Sequence, residues 1–258
     1  MDYETIQLAE ADAVAVITLN RPAVMNALNR QMRAELRHAL DAAGRSARVM
    51  VLTGAGRAFC SGQDLGDGGR ADRLNLDQVL RDEYEPLLRA IVDAPVPVIA
   101  AVNGVAAGAG ANLALAADVV IAAESAAFVQ AFARIGLVPD AGGSWILPRA
   151  VGLPRAMGAA LFAERIEARR AADWGMIWEA VADAEFAGHW RARAGQLAEG
   201  PTLAYRETRK LLRASAGRTL DQQLDAEASA QAECGRSRDF TEGVLAFLEK
   251  RPARYEGR

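Results

Sequence analysis

Cysteine, histidine and net charge are all scarce in this chain, and each scarcity removes a class of function. Only Cys60 and Cys234 are present, far apart in sequence, which argues against a disulfide framework and for a reducing, intracellular setting. The two histidines, His38 and His189, have no second metal-ligand type at productive spacing, so both read as surface or packing residues and no metal site is expected. Net charge is −3, from 30 basic and 33 acidic residues that are interspersed along the chain. That balance provides no electrostatic footprint for nucleic acid. The N-terminal MDYETIQLAE is acidic and lacks the apolar core of a signal peptide. The most apolar stretch, residues 96–117, is interrupted by Pro97, Asn103, Gly104, Gly108, Gly110 and Asn112, so no clean membrane span is expected. There is no P-loop and no G-x-S-x-G elbow, and neither Gly54-Ala55-Gly56 nor Gly108-Ala109-Gly110 completes a dinucleotide fingerprint. A cytoplasmic protein able to bury a sizeable core within 258 residues is the expectation.

What is present is apolar runs that lead into loops of small residues. Val98–Val102 reads as a buried strand, Asn103-Gly104 breaks it, and Ala109–Ala117 has the composition of a buried helix. Gly108-Ala109-Gly110 then falls at the helix start, where unpaired N–H groups and the positive dipole end suit a partial negative charge. Taken alone, the same residues would serve equally well to pack a helix tightly on a sheet. A second segment repeats the pattern: the Val49–Thr53 run passes into the loop Gly54 to Leu65. Two such loops can each donate one N–H to the same oxygen, forming a main-chain oxyanion hole.

In chain order, Thr5–Leu8 and Ala13–Leu19 read as paired strands around a Glu10-Ala11-Asp12 turn. Asn29 is the expected N-cap of an amphipathic helix carrying Met32, Leu36 and Leu40, with Gly44 as its stop. A polar segment, Gly66–Arg73, precedes a helix expected over Leu76–Val92. Val119–Ala123 and Phe128-Val129 read as strands, and the loop Ile135–Gly143 follows. From Ser144 onward the periodicity is helical almost throughout. The alternation of strands and helices predicts an α/β core with roughly parallel strands and a helical C-terminal third. The carboxylates near the small-residue loops are Asp64 and Asp140. Desolvation among the apolar and bare groups of Leu137–Gly143 should raise the pKa of Asp140, although an ordinary exposed turn aspartate would occur in the same sequence.

The segments Gly56–Leu65, Ala101-Val102-Asn103-Gly104 through Asp118, and Gly136–Gly143 resemble the crotonase superfamily, the enoyl-CoA hydratase/isomerase family, and the likeness runs over essentially the whole chain. Trp174–Trp178 and Phe240–Leu248 add a similarity to the family's phenylacetate-degradation isomerases, which convert ring-1,2-epoxyphenylacetyl-CoA to its oxepin form. The resemblance implies a spiral of ββα units over residues 1–200 and a helical trimerisation region over residues 201–258, with homotrimers often paired into hexamers. It places the oxyanion-hole amides on Gln63 and Ala109 and the catalytic carboxylate on Asp140. It implies an acyl-CoA ligand held by Arg21, Ala23, Ala27, Asp64, Leu65 and Gly110, with Phe247 and Lys250 reaching toward a neighbouring subunit's nucleotide pocket. Coenzyme A is part of the substrate, and no separate cofactor is implied.

The family's hydratases use two glutamates to activate water, and the corresponding positions here are Asn112 and Phe132, neither of which can do acid/base work. Phe128, Phe132, Leu137 and Trp145 could line an acyl pocket, though their spacing fits core packing equally well. Three readings follow. The first is a proton-shuttling acyl-CoA isomerase, acting on the ring epoxide and on double-bond position. The second is a 2-enoyl-CoA hydratase, and the third is a binding protein with a degenerate site.

Overall fold

Five strands of five or six residues and one of three build one sheet, and three-residue strands alone build another, in the computed structural model, which describes residues 2–66 and 75–258. The six-stranded sheet has the order β1 (Ile6–Ala11), β2 (Val14–Leu19), β3 (Val49–Gly54), β5 (Val98–Val102), β7 (Val119–Ala123), β10 (Glu179–Val181). The second sheet contains β4 (Ala58–Cys60), β6 (Val105–Ala107), β8 (Ala127–Val129) and β9 (Arg165–Glu167). Successive strand pairs β3–β4, β5–β6 and β7–β8 each give one strand to each sheet before the chain turns helical, which is the expected ββα spiral. All pairings from β2 through β10 in the larger sheet are parallel, whereas β1 and β2 form an antiparallel hairpin.

The hairpin turn is Asp12-Ala13, both left-handed at φ 51° and 61°, and not Glu10-Ala11-Asp12, because Glu10 and Ala11 pair with Ala15 and Val14. Two residues of positive φ match the twist of the flanking strands. The three-residue strands β4, β6 and β9, together with β10, were not expected. The helix after Asn29, α1 (Arg30–Ser46), is capped as expected, with the Asn29 side chain accepting the Met32 N–H, and it buries Met32, Leu36 and Leu40. Gly44 does not stop it. A Cβ there would lie 3.1 Å from the Pro95 ring, so glycine serves a close approach inside a helix that continues to Ser46.

The expected Leu76–Val92 helix is present but interrupted: α2 (Leu76–Val79) passes through a π turn, Leu80–Tyr84, into α3 (Glu85–Val92). Pro86 has no N–H to give the Asp82 carbonyl, and the Glu85 N–H reaches back five residues to Leu80 O. The predicted polar segment Gly66–Arg73 lies, beyond Gly66, outside the described residues. Helix α4 (Ala109–Leu115) is fully buried and ends before the expected Ala117.

Beyond β8 the described helices are α5 (Gly143–Val151), α6 (Leu153–Phe162), α7 (Ala168–Asp173), α8 (Asp183–Ala198), α9 (Thr202–Ser215), α10 (Leu220–Cys234) and α11 (Arg238–Glu249). Arg209 and Arg213 of α9 grip Asp118, at 2.6 and 2.7 Å, fastening the C-terminal helices behind α4. Along α11, Phe247 and Leu248 are 83% and 70% exposed in the single chain. Among the described residues no helix is long and apolar enough to cross a membrane, and no group of three or more His, Cys, Asp or Glu is placed to hold a metal.

Candidate active site

The two small-residue loops are brought into contact. Leu28 and Gln63 form an isolated parallel bridge in which the Leu28 N–H donates to Gly62 O (2.8 Å) and the Asp64 N–H donates to Leu28 O (3.2 Å). Those bonds occupy the groups flanking Gln63 on the Leu28 side, so the Gln63 N–H points the other way. Gly62, at φ +94°, has no room for a side chain: a Cβ would lie 2.8 Å from Ala107 O and 3.6 Å from Ala109 N. Gly108 O accepts the first helical bond of α4, from the Asn112 N–H at 3.1 Å. Ala109 N–H therefore belongs to the set of amides that a helix start leaves without an intrahelical partner. Asn26 holds the Gly54–Cys60 side of this arrangement, its amide donating to the carbonyls of Ala55, Ala58 and Phe59 at 2.9, 2.8 and 3.2 Å.

Asp140 lies between a short 3₁₀ turn, Ala131–Ile135, and α5. Its Oδ1 is buried with no hydrogen-bond partner among the described residues, and burial pushes its carboxyl up from 3.8 to about 6. The loop is held by its backbone: Asp140 O accepts from the Gly143 N–H and from Asn112 Nδ2, both at 2.8 Å. Asn112 is completely buried and its Oδ1 accepts from Gln130 Nε2 at 2.8 Å, so both ends of its amide are engaged. One turn of α4 thus carries the Ala109 amide and the clamp that sets Asp140.

Asp140 opens on a cavity of about 670 Å3 walled by Leu80, Tyr84, Leu88 and Val92 on one side and by Val138–Gly142, Trp145 and Ile146 on the other. Tyr84 links this cavity to the two loops, because its hydroxyl donates to Gln63 Oε1. Burial pushes the Tyr84 phenol upward, with Arg33 pulling it the other way, so it stays protonated and able to donate. Arg33, 4% exposed, donates to Leu28 O (2.6 Å) and Gln63 Oε1 (3.0 Å) and is neutralised by Glu83 at 2.6 Å.

The sequence-derived residues fall into distinct groups. Arg21 and Asp64 come together at 2.8 Å, and Arg21 also donates to Ala27 O at 2.6 Å. The hydrogen bond that Arg21 donates to Asp64 Oδ2 holds the Asp64 carboxyl below its usual range. Ala23 and Leu65 are exposed beside them. Gly110 meets a packing demand, since a Cβ there would fall 2.6 Å from Cys60 Sγ. Trp145 lines the Asp140 cavity, half exposed, with the Arg149 guanidinium 4.1 Å from its ring.

The other expected pocket residues lie outside the Asp140 cavity, and for Phe128 the expectation is corrected. Phe128 is fully buried in the core, because β8 turns it inward between the layers. Phe132 packs beneath Gly108, whose Cβ position is 3.8 Å from its Cζ, and Leu137 is half-buried; neither lines the cavity. Within one chain Phe247 lines a separate groove of the C-terminal helices, and neither it nor Lys250, the exposed left-handed cap of α11, lines the Asp140 cavity.

The residues missed were Tyr84, Leu88, Arg33 and Asn26. Arg33 carried a readable sign: with Leu36 and Leu40 it occupies i, i+3, i+7, and a cation within an apolar stripe marks a buried, partnered charge.

Residues 9–258 match the family model described as enoyl-CoA hydratase/isomerase. The chain is 63% identical over its full length, and over all of the relative, to a Rhodobacter capsulatus protein named "Probable enoyl-CoA hydratase". It is 46% identical to the 1,2-epoxyphenylacetyl-CoA isomerase of Escherichia coli, with 95% of each chain covered. A Mycobacterium abscessus crystal structure, provisionally named as an enoyl-CoA hydratase/isomerase, superimposes with a TM-score of 0.93 at 41% identity, covering 98% of this chain and 100% of that one. With whole-length sequence matches, a ββα spiral and paired small-residue loops all agreeing, this chain belongs to the crotonase superfamily of enoyl-CoA hydratases and isomerases.

Proposed function

We propose that this chain is an acyl-CoA isomerase that rearranges ring-1,2-epoxyphenylacetyl-CoA to oxepin-CoA and also shifts enoyl-CoA double bonds. The observation that carries the reading is the isolation of Asp140. Among the described residues, the other two carboxylates lining its cavity, Asp77 and Glu85, are exposed, whereas Asp140 has a buried oxygen with no partner and a carboxyl pushed up to about 6. A carboxylate poised near neutrality can accept a proton from the acyl carbon chain and return the same proton at another carbon. Gln63 and Ala109 N–H groups would hold the negative charge that builds on the thioester oxygen in between. For the ring epoxide, the same two protonation states assist ring opening and rearrangement with no gain or loss of atoms. The pantetheine and nucleotide would run past Arg21, Ala23, Ala27, Asp64 and Leu65, and a partner subunit's Phe247 and Lys250 would complete that cradle in a homotrimer. The reading calls for no redox cofactor or metal.

Hydration of 2-enoyl-CoA is the second reading, favoured by the name of the 63% identical relative. Against it stands Asn112, whose amide is committed at one end to Gln130 and at the other to the Asp140 carbonyl, leaving it no group to activate water. Incubation with ring-epoxide phenylacetyl-CoA, a 3-enoyl-CoA and a 2-enoyl-CoA, each followed by mass, separates the readings. A product of unchanged mass is expected. Gain of one water as the main outcome would replace isomerisation by hydration.

A further inference from the structure

The side chain of Gln63 is held from three directions. Its carbonyl accepts from Arg33 Nη1 (3.0 Å) and from the Tyr84 hydroxyl, while its Nε2 donates to Asp64 O (3.2 Å). Arg33 reaches it from α1, and Asp64 is its own chain neighbour. Tyr84 alone among these partners belongs to the wall of the Asp140 cavity. Its neighbour on the π turn, Glu83, binds Arg33, so that turn grips Gln63 twice, directly through residue 84 and indirectly through residue 83.

We propose that Tyr84 is a positioning residue that couples occupation of the acyl cavity to the direction of the Gln63 N–H; this rests on the reading of Gln63 and Ala109 as the donors to the thioester oxygen. Tyr84 is already buried, whereas Gln63 is half-buried. An acyl thioester that packs against the Tyr84 ring and reaches the Gln63 N–H covers that remaining open end of the Tyr84–Gln63 hydrogen bond, and a bond in a drier site is stronger. The Gln63 side chain is then fixed on its Tyr84 side as well as its Arg33 side, and the main-chain amide of the same residue keeps its aim as charge builds on the thioester. Acyl groups that fill the cavity therefore gain in turnover as well as in binding.

Tyr84→Phe tests this in the full-length protein, because it keeps the ring and removes only the donor. The probe is phenylacetyl-CoA carrying 13C at the thioester carbonyl, whose infrared stretch falls when two N–H groups polarise it. Wild type should lower that frequency, and Tyr84→Phe should lower it less while binding the probe within about twofold of wild type. For whichever CoA ester the mass assay shows to react, kcat should fall roughly 3- to 10-fold, the worth of one ordinary hydrogen bond, with KM nearly unchanged. In a Gln63→Met background, which keeps the main-chain N–H and removes the acceptor, adding Tyr84→Phe should change neither quantity further. An unaltered carbonyl shift in Tyr84→Phe overturns the coupling and leaves the oxyanion reading intact. An undiminished Tyr84→Phe effect in the Gln63→Met background also overturns it, since Tyr84 would then act elsewhere. Absence of any shift in wild type removes the oxyanion reading and the coupling together.

Discussion

Replacing Asp140 by asparagine should abolish turnover and raise stability, and the two effects have the same origin. Burial favours the neutral carboxyl and moves its pKa from 3.8 to about 6, so above that pH the folded protein carries a charge its surroundings do not solvate. A difference of this size corresponds to about 3 kcal/mol at full strength, and screening by solvent at a half-buried site reduces it to about 1–2 kcal/mol. The direction follows from linkage. A raised folded-state pKa means that folding favours the protonated group. Its stabilising contribution is complete below about 3.8 and is lost as pH rises through about 6.

Asparagine stays neutral throughout. Asp140→Asn should therefore melt about 3–6 °C above wild type at pH 8, and the gap should close toward pH 4. In parallel, kcat should drop by about 10²–10⁴ because the amide cannot accept and return a proton. The wild-type kcat/KM should rise with pH through about 6, as the carboxylate forms. Melting curves from pH 4 to pH 8, alongside isomerase assays, check both halves. A folded Asp140→Asn protein with near-normal isomerase turnover would remove the base from the mechanism. A variant less stable than wild type at pH 8 would show that the carboxylate has a partner there and is not strained by burial.

Ala109 is the first residue of α4, where proline costs no intrahelical bond, so Ala109→Pro should keep its circular dichroism and lose about 10²–10³ in turnover with the missing donor. Asn112→Ala strands the buried Gln130 Nε2 and releases the Asp140 carbonyl; denaturant titration should show a loss of about 1–3 kcal/mol, accompanied by reduced turnover. Light scattering should give three times the 27.4 kDa chain mass, or six times it, and Lys250→Ala should weaken CoA affinity; a monomeric mass or unchanged affinity would count against the shared nucleotide pocket.

Legibility in the sequence followed length and chemistry. Val98–Val102 and Val119–Ala123 were recoverable because five consecutive apolar residues stand out, and α1 because its cap and apolar stripe agree. Apart from β8, the second sheet was not, since strands such as Ala58–Cys60 are too short to show a period and are held by pairing with distant residues. At the site, the two bare loops stand out because each follows a buried strand, whereas Gln63 and Ala109 within them were named by the family resemblance. Phe128 and Trp145 could not be told apart: both are aromatics at regular spacing, and only the turn of β8 against that of α5 sends one into the core and the other to the cavity.

Asn112 is the most instructive residue. Against the hydratase pattern it marks a lost acid, a reading in terms of what is missing. In the fold it is a fully buried amide that receives from Gln130 and gives to the carbonyl of Asp140. A glutamate there, ionised, could accept from Gln130 but could not donate to the Asp140 carbonyl, and its negative charge would face that carbonyl's oxygen. The asparagine and the aspartate therefore belong together: the amide that offers no water activation at one position holds in place the loop that carries the base proposed for isomerisation. A lone substitution restoring glutamate at 112 should accordingly weaken the Asp140 loop before it creates a hydratase.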